Sequence, residues 1–69
     1  MTLDKLKKKY KELSEACASL GNLYEAEGDK ERAQGNFENA KIFYSSAAKE
    51  FKEATIYRQF VNDLNKVTK

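Results

Sequence analysis

Leu3, Leu6, Tyr10, Leu13, Cys17, Leu20 and Tyr24 step along the chain by alternating threes and fours. That period places them on one face of a single α-helix. Thr2 stands just ahead of the row as a candidate N-cap, and Asp4 suits the positive end of the helix dipole. Gly28 occupies the place of the left-handed residue that closes a helix. Asp29 follows as the next N-cap, with Glu31 in the first turn after it. The pattern predicts a first helix over about residues 3–27 and a reversal at Gly28-Asp29.

A second row repeats the alternation with a different texture. Ala33, Phe37, Ala40, Tyr44, Ala47, Phe51 and Ala54 alternate small and large side chains. An alanine row lets a neighbouring helix approach closely while the rings interlock with its Leu and Tyr knobs. The short connection makes the two helices antiparallel, with the second expected over about residues 30–52. Gly35-Asn36 is the competing turn. It is set aside because the row passes straight through it, and because Glu27, Asp29, Lys30 and Glu31 cannot form an apolar face ahead of it.

Beyond Ala54 this row fails, since its continuation falls on Arg58, Asn65 and Thr68. Tyr57, Phe60, Val61, Leu64 and Val67 are the apolar residues there, and at ~100° per residue their stripe is rotated by roughly 130°. Either the chain bends near Lys52 to Ile56 and a third helix, about residues 56–67, returns to the hairpin, or the second helix extends. The bend is the preferred reading. The fold class expected is all-α: one domain over residues 1–69, an antiparallel helical hairpin with a C-terminal third helix or helix extension.

Composition narrows the function classes. Sixty-nine residues form one domain with a marginal core. Hydrophobic residues at 41% make the chain too apolar for a disordered tail. A net charge of +2 gives no ground for nucleic-acid binding. One Cys and no His exclude a disulfide framework and leave no zinc ligand set. No apolar run approaches the roughly 18 residues of a membrane span, and the start lacks a signal-peptide core. The expectation is a cytoplasmic protein in a reducing compartment, with no cofactor and no metal.

Catalysis is not expected, because the chain has no His, no phosphate-binding glycine loop and no nucleophile motif. Cys17 lies on the first row and reads as a packing residue. Lys5, Lys7, Lys8, Lys9 and Lys11 form a cationic run, which reads as a solvated face with, at most, peripheral contact to an anionic membrane surface. The sharper candidate is the C-terminal stripe. Tyr57, Phe60, Val61 and Leu64, with Ile42 and Ile56, exceed what a small hairpin can cover, and exposed apolar patches mark interfaces.

Part of the chain resembles a tetratricopeptide repeat. Cys17-x2-Leu20-Gly21-x2-Tyr24 followed by Ala33-x3-Phe37 parallels the repeat's W-x2-L-G-x2-Y…A-x3-F pattern. Cys17 replaces the Trp, Ser45 replaces the closing Pro, and no second repeat follows. The likeness implies that Gly21 marks a close helix crossing. It also implies a ligand-facing surface of Glu15, Ala18, Asn22 and Glu25, with Asn22 at a backbone-holding position and no cation to clamp a carboxyl terminus. With a third helix, the chain is similar to microtubule-interacting-and-trafficking domains, whose second helix has a like Ala/aromatic row. That similarity implies a protein-transport adaptor binding tails of membrane-remodelling partners. Small secretion-type co-chaperones are another similar group. The expected function is therefore a non-catalytic protein-interaction module binding a peptide or helix through Tyr57, Phe60, Val61, Leu64, Glu15 and Asn22. The alternative is a self-associating structural homodimer.

Overall fold

The computed structural model describes residues 2–67. Two helices of equal length, α1 (Leu3–Ala33) and α2 (Phe37–Val67), account for the fold and pack against each other along their length. Each has 31 residues, about 46 Å at 1.5 Å per residue, and the molecule measures 52 × 14 × 14 Å. Its radius of gyration is 15.6 Å, against about 11 Å for a globular chain of this length.

The reversal lies at Gln34-Gly35-Asn36, seven residues later than the sequence pattern predicts. Gly35 has φ +82, a left-handed conformation that glycine adopts without steric cost. Around it the amide of Asn36 donates to the carbonyl of Glu31 (2.9 Å) and that of Gly35 to Arg32 (3.0 Å). These are the two crossed bonds of a Schellman closure. The Asn36 side chain also donates to the Glu31 carboxylate at 2.8 Å.

Gly28 and Asp29 lie inside α1, so the expected boundaries at residues 27 and 30 are corrected. Asp29 is no N-cap, and Glu31 and Ala33 belong to the last turns of α1 rather than to the second helix. The start of α1 is as expected. Thr2 Oγ1 accepts from the Lys5 amide at 3.3 Å, and Asp4 sits in the first turn.

The core consists of small residues. Ser14, Gly21 and Gly28 are buried on α1, and Ala40, Ala47 and Ala54 on α2. Both sets repeat every seven residues, so each forms a straight seam when one helix lies along another. Small seams draw helix axes toward the lower end of the ~8–10 Å packing range. The Ser14 hydroxyl is satisfied by donation to the Lys11 carbonyl at 2.8 Å. The Leu/Tyr row therefore flanks the contact rather than forming its centre.

No third helix forms among the described residues. The bend expected near Lys52 to Ile56 is absent, and residues 56–67 continue α2. The seam does not rotate either: Ala54 is followed by Val61 on the same heptad step, with Tyr57 and Leu64 half-buried beside it. Thr68 lies outside the described residues. Tyr44 and Phe51 are half-buried on one flank of the alanines, and Phe43, Tyr57 and Leu64 on the other.

Candidate protein-binding face

The seam divides the hairpin into two sides. On the first, rings from α2 cover the glycines of α1. A Cβ at Gly21 would lie 2.7 Å from Phe51 Cε1, and one at Gly28 would lie 2.7 Å from Tyr44 Cε1. Glycine is needed at these positions for close approach. Tyr44 Oη donates to Asp29 Oδ1, and that bond, with burial as the second cause, raises the phenol above its ordinary value of 10.0. A groove of about 420 Å³ beside the turn, lined by Phe37, Ala40, Lys41 and Tyr44 among others, lies on this side.

On the second side, rings meet rings. Tyr10 stacks on Tyr57 with centroids 5.9 Å apart and tilts against Phe60 at 5.4 Å. Nearer the turn, Tyr24 meets Phe43 at 6.4 Å. A groove of about 270 Å³ opens between Leu6, Tyr10, Phe60, Asp63, Leu64 and Val67. Of the large apolar residues left exposed among those described, all but Phe37 fall on this open side by helical position. Leu23 (64%) and Ile42 (63%) are the most exposed towards the turn end, Leu20 and Ile56 lie nearer the middle, and Phe60 lies towards the termini.

Midway along the open side, the Cys17 thiol and the Glu50 and Glu53 carboxylates place donor atoms within 4.8 Å of one another. Cys17 Sγ donates to Glu53 Oε2 at 3.9 Å. Burial first, then the two carboxylates, raises the thiol above its ordinary value of 9.0. A thiol held protonated is a weak nucleophile and a weak metal ligand.

The residues singled out in the sequence are distributed unevenly. Tyr57 and Leu64 are half-buried on the open side, Phe60 is exposed beside them, and Val61 is half-buried in the seam. Glu15 and Asn22 are exposed on α1, and their helical positions turn them toward the first side, away from that stripe. Lys5, Lys8, Lys9 and Lys11 are exposed, whereas Lys7 is half-buried in phase with Ser14. Sequence reasoning missed Leu20 and Leu23 as surface residues. The signal was present, since Leu13, Ala16, Leu20 and Leu23 form a second three-four row beside the first.

No helix among the described residues is long and apolar enough to cross a membrane. Comparison of the chain with protein-family models, with curated proteins and with solved structures finds no match.

Proposed function

We propose that the hairpin is a non-catalytic protein-interaction module whose open side receives an amphipathic helix. The observation that carries this reading is the exposure of Leu20, Leu23, Ile42, Ile56 and Phe60 along one side of the hairpin, with a shallow groove beside Phe60. Exposed apolar residues gathered on one side mark an interface, and a face formed by two helices side by side suits a third helix with anchors at three-four spacing. The adaptor role implied by the tetratricopeptide and trafficking-domain likenesses belongs to this same proposal. Tyr57 and Leu64 then serve as the floor of the face and Phe60 as an anchor, with Leu20 and Leu23 completing the face.

Site-specific photo-crosslinking in cells tests it. A photoreactive residue in place of Leu23 is expected to capture protein, and one in place of Glu15 on the opposite side is not. Equal capture from both positions, or none from residue 23 in a chain of unchanged helicity, overturns the reading.

A further inference from the structure

We infer that the open side is a homodimer interface, on which a second copy of the chain packs with α1 against α1 and α2 against α2, all neighbours antiparallel. The inference rests on the reading of this side as a protein-binding face and names its occupant.

The first argument is area. The chain exposes 5253 Å², whereas a folded monomer of this mass exposes about 4,400 Å². The excess, about 800 Å², equals what one partner contributes to a standard interface. The excess goes with the elongated shape, 52 × 14 × 14 Å, and with a core in which no large side chain is fully buried among the described residues. Small hairpins of this kind reach a sufficient core by association.

The second argument is register. Two antiparallel copies of one helix oppose each other symmetrically about a fixed residue. The outer row of α2 on the open side is Ile42, Ser46, Lys49, Glu53, Ile56 and Phe60. Folded about residue 51, it sets Ile42 of one copy on Phe60 of the other, Ser46 on Ile56, and Lys49 on Glu53. The outer row of α1 is Lys9, Leu13, Ala16, Leu20, Leu23 and Glu27. Folded about residue 18, it sets Leu13 on Leu23, Ala16 on Leu20, and Lys9 on Glu27. In both rows each Lys meets a Glu, and apolar residues meet apolar ones except where Ser46 meets Ile56.

One two-fold axis must serve both helices, so the two centres have to lie level. They do, because Gly21 lies beneath Phe51 and Cys17 adjoins Glu50 and Glu53. The other face-to-face dimer has its axis parallel to the helices and stacks α1 on α2 of the second copy. At the same register it sets Lys9 on Phe60, Leu20 on Lys49 and Glu27 on Ile42, so three charged groups face apolar ones, which is unfavourable. The charge pattern selects the first arrangement, as interfacial charges commonly fix register. Within it, Glu50 lies on the inner flank beside the axis and approaches the same group of the second copy. Like charges there limit the affinity.

Sedimentation equilibrium on the full chain, with helicity followed by circular dichroism, tests the inference. A dimer is expected. Lys49→Glu breaks two symmetric pairs and is expected to weaken it about tenfold, and the double exchange Lys49→Glu/Glu53→Lys to restore it. Glu50→Leu is expected to tighten it. If Lys49→Glu unfolds the chain, Lys9→Glu with its restoring partner Glu27→Lys carries the same test on α1. A fully helical monomer at every concentration overturns the homodimer. In that case capture of another protein from residue 23 leaves the binding face standing, and loss of capture removes both. A dimer that the exchanges do not restore overturns the arrangement.

Discussion

The two sides of the hairpin border one seam of small residues and are finished differently. On one, single rings cover glycines: Tyr44 lies over Gly28 and Phe51 over Gly21. The contact closes within the chain, and the Tyr44–Asp29 hydrogen bond holds one ring in place. On the other, rings pair with rings, as Tyr10 does with Tyr57 and Phe60. Beside these pairs Leu20, Leu23, Ile42 and Ile56 point away from the partner helix and stay uncovered. Glycine opposite an aromatic brings the two helices together within the chain, whereas beside the aromatic pairs more large apolar residues stay exposed.

Gly28→Leu strikes the closed side hardest. It drives a side chain into the Tyr44 ring and is expected to lower stability by about 3 kcal/mol, the upper part of the overpacking range. Urea unfolding measures it, and wild-type stability in this variant would mean the ring has room to move aside. Gly35→Ala is a control without packing. Nothing lies within 4 Å of a Cβ there, so only the left-handed backbone is penalised, at about 1 kcal/mol. A loss as large as that of Gly28→Leu would show that the turn, not the seam, dominates.

The smallest effect is alkaline. Tyr44 on the closed side and Cys17 on the open side both have raised pKa values, so the folded chain holds these protons more tightly than the unfolded one. Their contribution is complete below the ordinary values of 9.0 and 10.0 and is lost as the pH rises through the folded-state values. Urea midpoints are expected to fall as the pH is taken above 9.0. Cys17→Ser should remove the earlier part of that fall and Tyr44→Phe the later part. A profile unchanged in both variants would assign the alkaline loss elsewhere.

The all-α antiparallel hairpin was legible in the sequence, as were the Thr2 cap and the alanine seam of α2, because three-four periodicity and capping chemistry are local. The turn was not. Gly28-Asp29 has the chemistry of a helix end, yet Gly28 is there so that a ring can approach. The objection to Gly35-Asn36 assumed that residues 27–31 had to offer an apolar face. In the structure Gly28 itself is that face, while Glu27, Asp29 and Lys30 stay exposed. Two clues pointed to the true turn. Ser14, Gly21 and Gly28 share the seven-residue spacing of Ala40, Ala47 and Ala54. Gly35 is also a second candidate for the left-handed residue that closes a helix. The candidate face was half legible. Tyr57, Phe60 and Leu64 stood out as surplus apolar residues, but Leu20 read as part of the packing row and Leu23 drew no reading at all.

The constant pairing of the two arms has a kinetic consequence. Gly28 meets Tyr44 across a short loop, Gly21 meets Phe51 across a longer one, and Tyr10 meets Tyr57 across most of the chain. Loop-closure entropy grows with each step outward, so the hairpin is expected to zip from Gly35 toward the termini. Truncating Tyr44 should slow folding, whereas truncating Tyr57 should mainly hasten unfolding.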